Sequence, residues 1–159
     1  MPKGLVVPAD TEQPLELRSF DDFTEYQTAV GGTFDVIELT NPESSLYLND
    51  EGKIKNLPAN LRATLLLWAH NSAFRHRDFI SGDVVLMGAV DEEGDTVDLP
   101  DELINLLTKT SRFKTQVQTG GEDWAGNGMT FDTWTSAYNA VLDLAGRWLL
   151  VTEVRVIPA

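Results

Sequence analysis

His70 and His76 are the only histidines in the chain, and imidazole is the side chain best suited to metal binding or acid–base work near neutral pH. Two histidines that bind one metal from a single helix stand four residues apart, whereas these two are six apart. A site would therefore need Asp78 or Asp83, brought in by a specific loop. The spacing favours ordinary surface or capping roles, and we predict no metal site.

The acidic residues around Gly94 have some likeness to a calcium-binding loop. Asp91, Glu92, Glu93 and Asp95 are four carboxylates within five positions. The helix–loop–helix calcium motif, however, needs acidic residues at alternate positions before its glycine and a glutamate six positions after it. That order is absent here, so we interpret the segment as a solvated hairpin turn.

A glycine-rich segment from Gly120 to Gly128 lies between a predicted strand and a predicted helix, which is where phosphate-binding loops occur. It lacks both the dinucleotide-binding and the Walker glycine patterns. Glu122 and Asp123 would also repel a phosphate. We favour a flexible connection and keep a small-molecule or nucleotide binder, or an enzyme, that uses this loop as an alternative.

The residues that usually supply nucleophiles are missing or out of context. The chain has no cysteine, and no serine stands in a nucleophile-elbow pattern. Carboxylate pairs are abundant, but in a chain with 25 acidic residues that abundance identifies no particular pair. We therefore predict a protein that is not an enzyme, with no catalytic residue and no cofactor.

Trp124 stands out because it lies in the polar, glycine-rich segment and outside any amphipathic pattern. Tryptophan is over-represented among the residues that carry the energy of protein–protein binding. The competing interpretation is that its ring folds back onto the core. Trp124 is a candidate interaction residue.

The formal charge is −13, and residues 1–110 hold 20 of the 25 acidic side chains. A field of this sign disfavours direct binding to nucleic acid and to anionic membranes. It allows two interpretations: carboxylates that imitate a DNA backbone and occupy a nucleic-acid-binding protein, or acidity that only aids solubility. The acidic candidates for an interaction surface are Asp21, Asp22, Glu25, Glu92 and Glu93.

The helices and strands that must position these residues are predicted to form an α+β fold. Alternating or continuous apolar runs predict strands at residues 4–7, 34–39, 46–48 and 84–90. Helical spacing predicts a helix from Ser19 to Val30, a second from about Asn60 to Asn71, and a third after Pro100. We expect a mixed, mainly antiparallel sheet with about four helices packed on it.

The last third of the chain reads as a separate βαβ-type unit. A strand is predicted at residues 113–118, a helix capped by Thr130 or Asp132 and ended by Gly146, and a strong strand at residues 148–157. We predict an acidic α+β domain at residues 1–110 and a C-terminal unit at residues 111–159. Whether the two share a sheet or core stays open.

Two motifs within residues 4–107 form a specific combination: the turn at residues 49–53 with Leu57-Pro58, and the later Gly82-Asp83-Val84 strand. On these motifs the chain resembles a family of small proteins of unknown function carried by bacteriophages, plasmids and actinobacteria. Residues 111–159 resemble C-terminal modules of actinobacteriophage accessory proteins. The resemblance implies a phage or mobile-element context and supplies no catalytic residue.

Composition places the chain among cytoplasmic proteins. Its 42% apolar content supports a real core, and the absence of cysteine fits a reducing compartment. No signal peptide and no membrane-spanning stretch is evident. We therefore expect a cytoplasmic, phage-type accessory protein that acts by binding a host protein. The identity of the host protein and the oligomeric state stay open.

Overall fold

The computed structural model describes all 159 residues, which form eight strands and four α-helices. The strands are β1 Lys3–Val7, β2 Glu16–Ser19, β3 Phe34–Leu39, β4 Ser44–Asn49, β5 Val84–Gly88, β6 Phe113–Gln118, β7 Thr130–Phe131 and β8 Glu153–Pro158. The helices are α1 Phe23–Val30, α2 Leu61–His70, α3 Asp101–Thr108 and α4 Trp134–Arg147, with a short 3-10 turn at Ser72–Phe74. The α+β class predicted from the sequence is confirmed.

The first sheet has the strand order β2-β1-β5-β4-β3, and its paired strands are antiparallel. Alternate residues of its central strands face opposite sides, as the period of a strand requires. Leu5 and Leu86 join a core with α2 and α3, whereas Val6 and Val85 join a smaller cluster with α1. The sheet therefore separates α1 from α3, because the two helices cover its opposite faces.

The first helix begins later than predicted. Ser19 belongs to β2, and the side chain of Asp22 caps α1 by accepting hydrogen bonds from the backbone amides of Thr24 and Glu25. A capping side chain needs extended backbone, which Asp22 has, and this fixes the start of the helix at Phe23. Gly31 ends the helix in the left-handed conformation, as predicted.

The second sheet has the order β7-β6-β8 and is antiparallel, with α4 packed against it. A βαβ unit in the usual sense would place its two main strands parallel. Here the chain reverses at β7 before it enters α4, so β8 returns antiparallel to β6. The C-terminal third thus has the predicted two strands and helix, together with the additional short strand β7, and β8 is antiparallel to β6.

The C-terminal strand is shorter than predicted at its start. Residues 148–150 form an exposed turn, with Leu149 96% exposed, and β8 begins at Glu153. The backbone amide of Trp148 still donates to Leu144, which continues the end of α4 into this stretch. Apolar character alone did not distinguish a turn from a strand, because the buried alternation starts only at Val154 and Val156.

The two sheets are not joined by strand pairing, but one cluster of buried apolar residues extends across the predicted boundary at residues 110–111. It includes Leu66 and Leu103 from the first part and Tyr138 and Val154 from the second. The division into two domains stays a prediction. None of the helices combines the length and apolar character needed to cross a bilayer.

Candidate functional site

A cleft of about 550 Å³ opens between α3 and β8. Its walls come from four parts of the chain: the turn before β4, the end of α2, one side of α3, and β8 with the loop that follows β6. The lining residues are Asn41, Pro42, His70, Glu102, Leu103, Asn105, Leu106, Trp124, Arg155, Val156, Ile157 and Pro158. Its volume falls within the range of typical ligand-binding clefts.

The cleft has an apolar floor and a polar rim on its α3 side. Leu103 and Leu106 are buried and three positions apart, so they lie on one face of the helix. Glu102 and Asn105, one residue before each, are exposed at the rim. The amphipathic pattern of α3 thus provides both the apolar contact surface and the hydrogen-bonding groups of this wall.

Trp124 forms part of the opposite wall and is half-buried. Its loop is held beside β6 because Ala125 and Val117 exchange two backbone hydrogen bonds of 2.9 Å. The guanidinium carbon of Arg155 lies 4.1 Å from the centre of the Trp124 ring, a cation–π geometry. Nε of Arg155 also donates to Oε1 of Gln116 at 2.8 Å. Both members of the Trp124–Arg155 stack are therefore held by β6, Trp124 through its loop and Arg155 through Gln116.

Trp124 is thus neither a fully exposed interaction residue nor a ring folded back onto the core, which were the two interpretations of its sequence setting. It lies outside the buried apolar clusters, so it is not a core residue. It is also not a freely exposed ring, because Arg155 covers one of its faces. Its loop presents a tryptophan that is already oriented at the wall of the cleft.

His70 closes one end of the cleft and is 4% exposed, so the surface role expected for it is wrong. Its Nδ1 is 3.0 Å from the carbonyl oxygen of Thr40, and its Nε2 is 2.7 Å from the hydroxyl of Tyr138. Nδ1 therefore carries the proton and donates to Thr40, while Nε2 accepts from Tyr138. Burial lowers the pKa of His70 and raises the pKa of Tyr138, so both groups stay neutral at pH 7.

His76 is exposed, and its Nε2 lies 3.0 Å from the carbonyl oxygen of Leu142 in α4. Its ring also packs 5.0 Å from that of Trp68, centre to centre. The two histidines thus contact different parts of α4 and do not converge on one point. They connect the α2 region to the C-terminal third.

The groups that line the cleft are suited to recognition. The lining set contains no serine, threonine, cysteine or lysine, and both ring nitrogens of His70 are already hydrogen-bonded. Arg155 and Glu102 offer charge, Asn41 and Asn105 offer amides, and Trp124 offers an aromatic surface. This combination can stack, pair and hydrogen-bond. That the protein is not an enzyme stays a prediction.

The acidic candidates lie away from the cleft. Asp22 caps α1, and Glu25 accepts a hydrogen bond of 2.7 Å from the backbone amide of Asp21, so two of the carboxylates stabilise the start of the helix. Because α1 and α3 cover opposite faces of the first sheet, these residues and the α3 wall of the cleft are on opposite sides.

Glu92 and Glu93 are exposed in the turn after β5. Thr96, at the end of that turn, is hydrogen-bonded to Tyr47, which stacks on Tyr26 of α1. The turn therefore lies on the α1 side of the sheet. The structure brings the acidic candidates to one face and separates them from Trp124.

The carboxylates of Asp91, Glu93 and Asp95 come within 4.8 Å of one another. Asp91 accepts hydrogen bonds from the backbone amides of Glu93 and Asp95, at 3.0 and 2.8 Å. Its carboxylate therefore stabilises the turn, in line with the predicted hairpin.

The glycine-rich loop does not have the arrangement of a phosphate-binding loop. It runs from β6 to β7, and β7 with the cap residue Thr133 separates Gly128 from α4. The first turn of α4 is capped by the Thr133 side chain, which accepts from the amide of Ser136. The loop lies between a strand and a helix, as predicted, and the short strand β7, which was not predicted, intervenes before α4.

Sequence reasoning missed Arg155, Gln116 and the edge of β8. Arg155 stands in a strand that alternates polar and buried residues, and Pro158 at its end is typical of an edge strand. These two signals could have identified an exposed strand edge with a cation on its solvent face. Neither signal indicates that Trp124 would stack on Arg155, because that contact joins residues 31 positions apart.

Fold and cleft together define a small α+β protein with two antiparallel sheets and a cleft between a helix and an edge strand. Residues 2–112 match the family described as a domain of unknown function, DUF3846, and the chain belongs to that family. No curated protein and no solved structure matches the chain. The resemblance to a family of unknown function is thereby confirmed.

The matched range ends just before β6. Asn41, His70 and α3 therefore lie inside the family domain, while Trp124 and β8 lie outside it. The cleft is formed by both parts of the chain.

Proposed function

We propose that this protein acts by binding a partner protein in the cleft between α3 and β8, without chemistry of its own. The observation that carries the proposal is the Trp124–Arg155 stack at the wall of the cleft. Tryptophan and arginine are the residue types most enriched among binding hot spots. A ring that is already oriented loses little conformational freedom on binding, which favours affinity.

The rest of the cleft supports this proposal. An apolar centre formed by Leu103, Leu106 and Val156, with a rim of Glu102 and Asn105, has the layout of a protein-binding surface. From the family resemblance we infer a phage-type accessory protein. Its partner is a host protein in the cytoplasm.

The test compares two tryptophan variants of the tagged protein in pull-downs from an actinobacterial lysate at moderate salt. Trp124→Ala removes the ring at the cleft, and Trp148→Ala removes a ring that is 42% exposed outside it. A partner that wild type and W148A retain and W124A loses supports the proposal once the same pattern is seen with the purified partner. Equal retention by W124A contradicts it.

A second candidate function is a DNA-mimicking inhibitor of a nucleic-acid-binding protein. It is favoured by one observation: Asp21, Asp22, Glu25, Glu92 and Glu93 lie on the same side of the first sheet, and none of them forms a salt bridge. Uncompensated carboxylates would steer a basic protein surface.

This candidate predicts binding to a DNA-binding partner that is lost at moderate salt. The triple variant Asp21→Asn, Glu92→Gln and Glu93→Gln spares the helix cap and removes three charges. A control removes the same number of charges at Glu12, Glu122 and Asp123, which are exposed and form no salt bridge. Equal weakening by both triple variants would argue for a general charge effect and against a specific acidic surface.

A further inference from the structure

The outer edge of β8 has no pairing strand. On β6, Val117 exchanges its backbone hydrogen bonds with Ala125, on the side away from β8. The direction of the backbone hydrogen bonds alternates along an antiparallel strand. The even-numbered residues of β6 therefore exchange backbone hydrogen bonds with the odd-numbered residues of β8. The bond from the amide of Ala159 to the carbonyl of Arg112 agrees with this alternation. The backbone N–H and C=O groups of Val154 and Val156 therefore point away from the sheet.

The cleft runs along this free edge. Four consecutive residues of β8, from Arg155 to Pro158, line it. Side chains alternate between the two faces of a strand, so a cavity over one face would meet only alternate residues. Contact with four in a row means that the cleft borders the strand edge itself. That edge spans roughly 13 Å at the usual rise of a strand.

The outward backbone groups of Val156 lie at the cleft, and no strand lies beyond β8 to pair with them. The Val156 side chain belongs to the buried core cluster, so this residue offers its backbone edge to the cleft. An unpaired strand edge is a template for another strand, which makes Val156 a receptive position. Pro158 has no N–H at the next outward position and stops the edge from pairing further, as prolines at sheet edges do.

The charges across the cleft define what an incoming strand should carry. Arg155 is already covered by Trp124 and hydrogen-bonded to Gln116. Glu102, on the opposite wall, is exposed and forms no salt bridge. The chain as a whole carries a charge of −13. The exposed Glu102 carboxylate and the negative charge of the whole chain favour a basic occupant over an acidic one.

We propose that the cleft binds an extended, basic segment of the partner protein, which pairs with β8 at Val156 and becomes the fourth strand of the second sheet. A lysine or arginine of this segment lies next to Glu102, and its apolar side chains contact Leu103 and Leu106. Main-chain hydrogen bonds to Val156 provide the affinity and the side-chain contacts provide the specificity. This inference rests on the proposed function, since it specifies how the same cleft recognises its partner.

The first experiment uses wild-type protein and short acetylated peptides of alternating valine and lysine. The control peptides are the valine–glutamate counterpart and a valine–lysine peptide with N-methylated backbone amides. We expect the unmodified lysine peptide to shift the NMR amide signals of Val156 and Trp124. We expect the glutamate and N-methylated peptides to bind about three- to tenfold more weakly, which corresponds to one or two lost backbone hydrogen bonds or an opposed charge. Equal binding by the N-methylated peptide overturns strand pairing, and equal binding by the glutamate peptide overturns the basic occupant.

The second experiment uses a matched pair of proline variants. Val156→Pro and Val154→Pro each remove one outward N–H from β8, but only residue 156 lines the cleft. After circular dichroism has shown that both variants fold, V156P should lose peptide affinity about three- to tenfold relative to V154P. If either variant fails to fold, Glu102→Gln against Glu12→Gln provides the same comparison for the charge.

The outcomes separate the two proposals. A peptide or partner that W124A weakens and V156P does not would overturn strand pairing and leave binding in the cleft intact. A peptide and a partner that neither variant weakens would contradict both.

Discussion

At the residue scale, His70 shows how burial sets the behaviour of a titratable group. Its ring is enclosed between Thr40 and Tyr138, both ring nitrogens are hydrogen-bonded, and desolvation holds its pKa below the ordinary value. The sequence shows a histidine near the end of an apolar helix and predicts a capping or surface role. Its burial depends on α4 packing across it, and α4 lies more than 60 residues away along the chain.

The lowered pKa of His70 has a consequence for stability. The unfolded chain takes up a proton at His70 near pH 6.5, while the folded protein resists that proton. The free energy of unfolding therefore keeps its full value with respect to His70 above that pH. It decreases as the pH falls below it, at a slope of at most about 1.4 kcal/mol per pH unit. We expect chemical denaturation between pH 7 and pH 5 to show this decline in the free energy of unfolding.

The control for this pH dependence is a His70 variant that cannot titrate. His70→Gln keeps a donor and an acceptor but cannot titrate, so its free energy of unfolding should depend less on pH in that range. Identical pH profiles for wild type and H70Q would rule out the buried histidine as the cause.

At the element scale, local sequence signals predict the helices and most strands. They do not always predict where these elements begin and end. The continuous apolar run of β5, the alternation of β6 and the amphipathic pattern of α3 predicted those elements within a few residues. The start of α1 was misplaced because Ser19 and Asp22 are both acceptable caps, and only the pairing of Ser19 with Lys3 decides between them. The start of β8 was misplaced because residues 148–150 are apolar and exposed.

The cap of α1 provides a test at this scale. Asp22→Ala removes the acceptor for the amides of Thr24 and Glu25 and should lower the free energy of unfolding by about 1 kcal/mol. Asp21→Ala changes the neighbouring carboxylate, whose side chain makes no hydrogen bond, and should stay within about 0.5 kcal/mol of wild type. Equal losses in D21A and D22A would indicate a general charge effect on the helix.

At the scale of the whole molecule, the cleft exists because the second sheet packs against the family domain. Its walls carry Glu102 and Asn105 on one side and Trp124 and Arg155 on the other. The sequence indicated Trp124 as an interaction candidate from its setting alone. It did not indicate the cleft, because strand order and the packing of α2 on α4 are non-local properties that no short segment encodes.

The fold of the whole molecule separates two surfaces that could not be distinguished from the sequence. The acidic residues of α1 and of the turn after β5 lie on one side of the first sheet, and α3 with its cleft lies on the other. A partner that recognises charge alone would contact the first side. A partner that inserts a strand would contact the second.

The most direct test of the central claim is to map the amide signals of the labelled protein by NMR while the captured, purified partner is added. Binding in the cleft predicts perturbations at Trp124, Val156 and α3, with α1 and residues 91–95 unchanged. Perturbations confined to α1 and residues 91–95, with Trp124 and Val156 unaffected, would contradict the cleft as the binding site and favour the acidic surface.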